Sequence, residues 1–185
     1  MTRIPDEFAV ECFDEKAIER RLDAAVKRLL CECFPADREA FSRSRWWHGS
    51  APEYTLISRE GAEVTGHVGV VVRTVSVGDR EVEVAGVQSL ALAPELRGSG
   101  LGRALMVEAM ERARRKGIEL GLLFCMRELE PFYAGLGWSR VEAPVTMEYP
   151  PGTRGPMPSK NIAMSKPLGD APFPAGPLDL NGPDW

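Results

Sequence analysis

The sequence predicts an α/β fold in which a mixed, mostly antiparallel sheet is flanked by helices within a single domain. Residues 54 to 92 are rich in Val, Thr and Ile and are interrupted by turn residues, which is typical of an antiparallel meander. A glycine-rich loop at residues 97 to 102 then leads into an amphipathic helix over 101 to 116. The apolar segment 119 to 125 that follows is expected to run parallel to the strand before the loop.

The N-terminal part is expected to form a strand and two helices. Residues 7 to 13 alternate between apolar and polar, which indicates a half-buried strand, and Asp14 stands where an N-cap would begin a helix. Apolar residues recur at spacings of three and four over residues 15 to 34, so we expect an amphipathic helix that ends before Pro35. Residues 36 to 52 have no sustained period and are interpreted as a short helix and a loop.

The remaining elements follow from turn residues and local periodicity. The meander is predicted to contain strands at residues 54 to 59, 64 to 77 and 81 to 92. Gly117 ends the long helix, residues 130 to 138 form a short helix stopped by glycine, and residues 161 to 165 form another strand. We expect one domain over residues 1 to 168 and a Pro- and Gly-rich tail over 169 to 185, whose apolar residues pack against the protein.

The bulk composition is that of a soluble globular protein and excludes several function classes. No apolar run approaches the roughly 18 residues that a membrane-spanning helix needs, and the first residues lack an export signal, so we expect a cytoplasmic protein. A net charge of −4 argues against general nucleic-acid binding. With only His48 and His67 as histidines, no metal site is expected, and the four cysteines fit reduced, buried thiols.

The glycine-rich loop is a candidate phosphate site. Gly98, Gly100 and Gly102 would let an anion approach the backbone N–H groups of a helix N-terminus, where the helix dipole favours negative charge. Arg97 and Arg103 add cationic donors on both sides. The dinucleotide fingerprint would require Gly at position 103, and a Walker loop would require Lys followed by Ser or Thr, so neither fits. A tight strand-to-helix connection without a ligand is the alternative.

Two motifs carry a family resemblance. Arg97-Gly98-Ser99-Gly100-Leu101-Gly102, after a strand, resembles the Arg/Gln-x-x-Gly-x-Gly/Ala signature of GNAT acyltransferases. Residues 132 to 138, Phe-Tyr-Ala-Gly-Leu-Gly-Trp, are similar to a later segment of that family, and the order of elements agrees over about residues 8 to 149. The resemblance implies a GNAT-like fold and an acetyl-coenzyme A-dependent N-acetyltransferase that acts on a small-molecule amine.

The resemblance also implies roles for individual residues. The pantetheine arm would add as a β-strand to the backbone of residues 90 to 92, and the pyrophosphate would bind the loop that follows. The implied cofactor-binding residues are Leu90, Ala91, Leu92, Arg97, Gly98, Ser99, Gly100, Leu101, Gly102 and Arg103. Tyr133 would protonate the departing thiolate, with a packed core tyrosine as the alternative. His67 is a second catalytic candidate, as a proton relay through water, with a satisfied core histidine as the alternative.

Two branches of the family are nearest. The aminoglycoside 2′-N-acetyltransferases and the nodulation N-acyltransferases resemble this chain in Gly66-His67-Val68-Gly69, in a basic residue at Arg73 and in the segment Asn181-Gly182-Pro183-Asp184-Trp185. The first branch carries Glu on the cofactor strand where this chain has Gln88, so a carboxylate base is excluded there. The resemblance implies 2′-N-acetylation of an aminoglycoside-type antibiotic by direct attack of the amine on the thioester.

Another departure concerns the acceptor. Where the 2′-acetyltransferases have an acidic residue, this chain has Arg45, which together with Arg43 would suit a kasugamycin-like acceptor that bears a carboxylate as well as an amine. Trp46 and Trp47 could form an apolar wall against a sugar ring, and Trp47 is expected to be the more buried of the two. The expected acceptor-binding residues are Asp37, Arg45, Trp46, Trp47, Gln88, Phe124, Asp184 and Trp185. The tail is expected to pack near this acceptor site.

Two other functions stay open at this point. One is a nodulation-like N-acyltransferase that transfers longer acyl chains to an amino sugar. The other is a non-catalytic domain that binds coenzyme A without transferring an acyl group. The oligomeric state is also open, with a homodimer among the options.

Overall fold

The structure is a computed structural model that describes residues 9–150 and 152–185. Its strands and α-helices are, in chain order, β1 (Ala9–Asp14), α1 (Arg20–Cys33), α2 (Arg38–Arg43), β2 (Tyr54–Glu60), β3 (Glu63–Val77), β4 (Arg80–Leu92), α3 (Leu101–Arg115), β5 (Leu120–Met126), α4 (Glu130–Ala134), β6 (Ser139–Arg140), β7 (Val145–Tyr149), β8 (Thr153–Pro156), β9 (Asn161–Pro167) and β10 (Leu178–Asp179). The predicted fold class, a mixed and mostly antiparallel sheet with helices, is confirmed. Residues 7 and 8 of the first predicted strand lie outside the described residues.

The first long helix begins later than predicted. Glu15–Ala17 form a 3₁₀ turn, Ile18 is extended, and α1 begins at Arg20. Asp14 makes no capping hydrogen bond through its side chain, so the expected N-cap is wrong. The physical reason is that Glu15 is engaged elsewhere: its backbone N–H donates to the carbonyl of Glu53 at 3.2 Å, and its carboxylate pairs with Arg45.

The chain divides into two compact units. Among the described residues, the first unit comprises those up to Val70 together with Gln88–Ala109. In it, β1 pairs antiparallel with β2, and β2 pairs antiparallel with the first half of β3. Its core joins α1 and α2 to the sheet and contains Val26, Leu29, Leu30, Phe41, Ile57, Val64, Ala91 and Ala93.

The N-terminal part of α3 packs on the sheet of the first unit. The Tyr54 hydroxyl donates a hydrogen bond of 2.7 Å to the carbonyl of Ala109. A Cβ at Gly66 would lie 3.0 Å from Leu105 Cδ1 and 2.5 Å from Ser58 Oγ, so this position requires glycine. The close approach fixes α3, and therefore the loop before it, against β2 and β3.

The second unit comprises Val71–Val87 and Met110–Trp185. Here β4 pairs parallel with β5 over residues 84 to 87, which confirms the predicted parallel pair. β5 pairs antiparallel with β9, and β9 with β6. β10 pairs antiparallel with β3 and parallel with β7, whose other neighbour is β8. The core contains Val71, Val75, Val77, Val84, Leu120, Leu122, Val145, Met147, Ala163, Leu178, Leu180 and Trp185.

The meander strands agree with the prediction to within a residue or two, but the region after Pro144 holds strands that the sequence did not predict. Pro and Gly discourage a strand prediction, yet β8 contains Gly155 and Pro156. β8 is the last strand in its sheet, and an edge strand tolerates proline because an outward N–H needs no partner. The tail contributes β10 and buries Leu178, Leu180 and Trp185, as its apolar residues suggested.

The thiols are less buried than expected. Cys125 is buried, whereas Cys12, Cys31 and Cys33 are half-buried, and all four are free thiols. Within residues 9–150 and 152–185, no helix combines the length and apolarity that crossing a bilayer requires.

Candidate active site

The loop between β4 and α3 presents an open backbone. Gly98 and Gly100 have φ values of +80° and +92°, which residues with a side chain rarely adopt. A Cβ at either position would meet nothing within 4 Å, so these glycines are required by backbone conformation and leave the space beside them open. A bulky anion can therefore approach the backbone of this loop.

The loop ends at the N-terminus of a long helix. Ala104 N–H donates to the Gly100 carbonyl at 3.0 Å, which begins the helical hydrogen bonds of α3, so the N-terminal end of the helix dipole lies at this loop. Ser99 stabilises the turn before α3, because its hydroxyl donates to the Leu96 carbonyl at 2.7 Å and accepts from Leu101 N–H at 3.3 Å. Arg97 and Arg103 are exposed beside it. Open backbone, helix dipole and arginines together fit a pyrophosphate group.

β4 is distorted just before the loop. Ser89 has a left-handed backbone, with φ +52°, and its carbonyl accepts a hydrogen bond of 2.8 Å from His67 Nδ1. Further along, the Leu92 carbonyl accepts from Cys33 Sγ at 3.1 Å. Burial raises the pKa of the Cys33 thiol, and Arg97 opposes that shift. Sequence reasoning missed Ser89 and Cys33, since positive φ is signalled by Gly or Asn and the thiol lies on α1, far away in sequence.

Arg45 is enclosed by carboxylates. Its side chain is 5% exposed, and it donates from Nε to Asp23 Oδ1 at 2.9 Å and from Nη1 to Glu15 Oε2 at 2.7 Å. Arg43 pairs with Glu39. Because Arg45 is buried and paired with two carboxylates, it is not free to bind a substrate carboxylate, whereas the Arg43 pair with Glu39 is a weak, exposed surface pair.

Gln88 is also satisfied internally. It is 3% exposed; its Oε1 accepts from Trp47 N–H at 2.8 Å, and its Nε2 donates to the Ser50 carbonyl at 2.7 Å. An amide is needed because one end must accept and the other must donate, which a carboxylate cannot do. Gln88 therefore holds the loop around Trp47 instead of presenting a free group to an acceptor.

The two tryptophans in the loop that Gln88 holds differ in how exposed they are to solvent. Trp46 is 39% exposed, and its Nε1 donates to Glu15 Oε1 at 2.5 Å. Trp47 is half-buried against Phe41, with ring centroids 5.2 Å apart, which confirms that it is the more buried of the pair. Asp37 is exposed at the end of a 3₁₀ turn and makes no capping bond to α2 through its side chain.

His67 is fully enclosed in the first unit. Its side chain is 1% exposed. Burial, helped by the charge of Arg45 and opposed by the hydrogen bond to Ser89, lowers the pKa of His67 to about 4. Its Nε2 atom is buried and has no hydrogen-bond partner among the described residues. The imidazole is therefore neutral at neutral pH and retains one unused nitrogen.

Tyr133 lies on α4 in the second unit. Its ring is 8% exposed and packs edge-to-face with Phe132 and Trp138, at centroid distances of 5.0 and 6.4 Å. Its hydroxyl has no hydrogen-bond partner in the described part of the chain. Burial, with a smaller effect of Cys125, raises the pKa of Tyr133, so the phenol is neutral at neutral pH and holds its proton more tightly than a free tyrosine does. A neutral phenol with an unused hydroxyl can act as a proton donor.

The segment at the end of the chain forms a cluster in the second unit. The Trp185 ring lies 5.2 Å from the ring of Phe124 and 5.1 Å from the guanidinium carbon of Arg73. Arg73 Nη1 donates to the Pro183 carbonyl at 2.5 Å. Burial lowers the pKa of Arg73, and Asp184 is the larger of two acidic residues that oppose the shift. The Asp184 charge therefore already faces a cation, while Trp185 Nε1 is buried without a partner among the described residues.

Comparison with known proteins gives consistent matches. Residues 18–141 match the family model described as acetyltransferase (GNAT) domain. The chain is 28% identical over 140 residues to an aminoglycoside 2′-N-acetyltransferase of Mycolicibacterium fortuitum, covering 75% of this chain and 69% of that protein. It is 26% identical over 161 residues to nodulation protein A of Rhizobium sp. (strain N33), covering 78% and 79%. A GNAT family N-acetyltransferase from Escherichia coli, solved in complex with CoA, shares the fold at 17% identity, with a TM-score of 0.68 over 97% of this chain and 93% of that chain.

The fold and the family match define an acyl-coenzyme A-dependent transferase. Because the family model matches more than half of the sequence, this chain belongs to the GNAT acetyltransferase family. It is an N-acetyltransferase whose cofactor is acetyl-coenzyme A, and both branches that the sequence resembles occur among its relatives.

Proposed function

We propose that this N-acetyltransferase acetylates the 2′-amino group of an aminoglycoside-type antibiotic. The proposal is supported by the similarity to an aminoglycoside 2′-N-acetyltransferase and by the net charge of −4, which favours a cationic acceptor. A kasugamycin-like acceptor with a carboxylate would have to rely on the exposed Arg43, since Arg45 is buried and paired with Glu15 and Asp23. A polycationic acceptor is therefore preferred over a zwitterionic one.

The observation that carries the catalytic proposal is the Tyr133 hydroxyl, which is protonated at neutral pH and has no hydrogen-bond partner in the described part of the chain. Acetyl-coenzyme A supplies an acetyl group activated as a thioester. The neutral acceptor amine would form the new C–N bond as the C–S bond breaks, and Tyr133 would donate its proton to the departing thiolate. His67 remains a candidate relay for the proton that the amine loses, although an imidazole with a pKa of about 4 is a weak base.

The cofactor would be held by the first unit. We assign the pantetheine arm to the backbone of Leu90, Ala91 and Leu92, and the pyrophosphate to the loop from Arg97 to Arg103. Residues 1 to 168 would form the catalytic domain, and the tail from 169 to 185 would contribute Trp185 to the acceptor site, while Asp184 already faces Arg73. A cytoplasmic location fits this use of acetyl-coenzyme A.

The test is a thiol-release assay with acetyl-coenzyme A across a panel of amines. The panel contains aminoglycosides with and without a 2′-amino group, kasugamycin, simple amino sugars and polyamines. We expect turnover only with acceptors that carry the 2′-amino group, and NMR of the product should place the acetyl group there. Turnover confined to polyamines or to kasugamycin would refute the acceptor proposal while leaving the enzyme class intact.

Tyr133→Phe tests the role of the hydroxyl. We expect kcat to fall about 100-fold, because the thiolate must then leave without a proton donor, while the Kd for coenzyme A changes little. Tyr149→Phe is the matched control, since the Tyr149 hydroxyl is exposed and donates only to the Pro156 carbonyl, 2.6 Å away. Equal activity of the two variants would remove Tyr133 from the mechanism.

The second candidate function is that of a nodulation-like N-acyltransferase, which would use an acyl donor with a longer chain. Met126, Leu129 and Phe132, which surround the start of α4, are 53%, 43% and 40% exposed, and such apolar surface could accept an alkyl chain. Competition between acetyl- and long-chain acyl-coenzyme A in the same assay separates the two donors. Coenzyme A binding by calorimetry with no thiol release for any amine would instead indicate a non-catalytic domain.

A further inference from the structure

Ser89 adopts a conformation that needs an external restraint. Its φ of +52° lies in the left-handed region, which costs free energy for any residue with a Cβ. Its hydroxyl does not supply the restraint, because Ser89 Oγ is buried and has no hydrogen-bond partner among the described residues. The conformation must be held by another contact.

His67 on β3 makes that contact. Its Nδ1 lies 2.8 Å from the Ser89 carbonyl oxygen, which can only accept, so the proton must be on Nδ1. Only this tautomer of the neutral ring makes the bond, and Nε2 then keeps its lone pair. Because burial lowers the pKa of His67 to about 4, the same tautomer persists across the pH range in which acetyl transfer is measured.

The direction of the Ser89 peptide matters for the residues that follow. Leu90, Ala91 and Leu92 follow this left-handed residue directly in β4, so a change at Ser89 would change the direction in which their N–H and C=O groups point. A strand that adds to this backbone requires these groups to point outward in register. If Ser89 relaxed to an extended conformation, the alternation of the next residues would be reversed.

We propose that His67 is a positioning residue, whose Nδ1–H holds the Ser89 carbonyl and thereby orients the backbone of residues 90 to 92 toward the pantetheine arm of acetyl-coenzyme A. The proposal rests on the assignment of these residues to the cofactor. It differs from a catalytic role for His67, which would use Nε2 and would touch the acceptor or its water.

Two substitutions of His67 distinguish the role of Nδ1 from that of Nε2. Asn places an amide near the position of Nδ1 and can still donate to the Ser89 carbonyl, whereas Gln places its amide near Nε2 and cannot. We expect His67→Gln to raise both the Kd for coenzyme A and the KM for acetyl-coenzyme A about tenfold, the size of one lost hydrogen bond. His67→Asn should raise them clearly less, and the acid limb of the kcat/KM profile should keep its midpoint in both variants.

A second substitution at Ser89 should restore cofactor binding to the His67→Gln variant, which would not occur if His67 were only structural. Glycine adopts positive φ without strain, so Ser89→Gly in the His67→Gln background should recover most of the lost cofactor affinity, while Ser89→Ala should not. Thr65→Val is the control for general damage. Thr65 lies on β3, as His67 does, and the substitution removes the buried contact of its hydroxyl with that of Ser58 on β2, 3.1 Å away. Circular dichroism and urea unfolding establish that each variant is folded.

The results that would overturn the proposal are distinct. If Asn and Gln at position 67 were equally impaired and the acid limb of kcat/KM were lost, His67 would act as a base through Nε2. If His67→Gln bound coenzyme A as tightly as Thr65→Val does, the hydrogen bond would be structural only. Failure of the wild-type protein to bind coenzyme A at all would instead contradict the cofactor assignment, which calorimetry on the unsubstituted protein detects first.

Discussion

Replacing Gly86 by alanine should destabilise the second unit through a clash with Trp185. A Cβ at Gly86 would lie 2.2 Å from Cε2 and 2.5 Å from Nε1 of the indole, so either β4 or the ring must move. Movement of the ring is opposed because Trp185 is 4% exposed and packs against Phe124 and Arg73. The space next to the Gly86 Cα is already filled by the indole of Trp185, so an added methyl group overpacks it.

The magnitude follows from packing energetics. Inserting a methyl group into a filled core costs about 1–3 kcal/mol, and the 2.2 Å contact with a rigid ring places Gly86→Ala toward the upper end. Trp185→Ala alone should cost about 3–5 kcal/mol, because it removes a large buried side chain. In the double variant the new methyl group enters the cavity that the indole leaves. The two effects should then total about 1–3 kcal/mol less than their sum.

Urea unfolding followed by far-ultraviolet circular dichroism measures these values without depending on Trp185 fluorescence. Gly135→Ala is the control, since Gly135 has helical φ and ψ and a Cβ there would make only ordinary contacts of 3.4 Å. We expect this control to change the free energy of unfolding by less than about 1 kcal/mol. If the single effects at Gly86 and Trp185 simply added in the double variant, the indole would not lie above Gly86 and the reasoning would be refuted.

Three further predictions follow from the first unit. Gly100→Asp should abolish coenzyme A binding in calorimetry, because its carboxylate repels the pyrophosphate, whereas Gly61→Asp, also at positive φ with nothing within 4 Å, should bind normally. Gln88→Glu should lower the free energy of unfolding by about 1–3 kcal/mol at pH 7, because a carboxylate cannot donate to the Ser50 carbonyl, and the loss should shrink at pH 4 as the acid becomes protonated. The pKa of His67 is lowered from 6.5 to about 4, so the unfolded chain binds a proton first and stability should fall as pH drops from 6.5 to 4. Urea titrations should show a loss of about 3 kcal/mol from this residue that is absent in His67→Asn. A flat profile between these pH values would contradict the burial of His67.

Local patterns explain which parts of the fold could be predicted. The strands of the meander alternate in polarity and are separated by turn residues, so their bounds were predicted nearly to the residue. The start of α1 could not be predicted, because Glu15 leaves the helix to pair with Arg45, thirty residues away. β8 was missed for a related reason, since pairing with β7 at the sheet edge overrides the unfavourable Gly155 and Pro156.

The same distinction applies to the site. The loop at Gly98 and Gly100 was predicted from glycine spacing alone, because its conformation is a property of the local chain. The roles of Arg45 and Gln88 depend on partners that folding brings from other segments, so residue type alone suggested free groups where the structure has paired ones. Ser89 carries no signal in the sequence, since a serine with positive φ is held by a contact from another strand.

Hydrogen-bond satisfaction separates the residues that build the scaffold from those that remain candidates for chemistry. A substrate that used Arg45 or Gln88 would have to break buried hydrogen bonds, and each unsatisfied partner left behind would cost about 1–3 kcal/mol. His67 Nε2 carries no such cost, because it is buried without a hydrogen-bond partner in the described part of the chain. For the Tyr133 hydroxyl, only burial and the nearby Cys125 act on its pKa. Substitutions that test the proton transfer therefore belong first at Tyr133, and substitutions at His67 distinguish a relay through Nε2 from positioning through Nδ1. Changes at Arg45 and Gln88 should act on KM through the shape of the loop that holds Trp47.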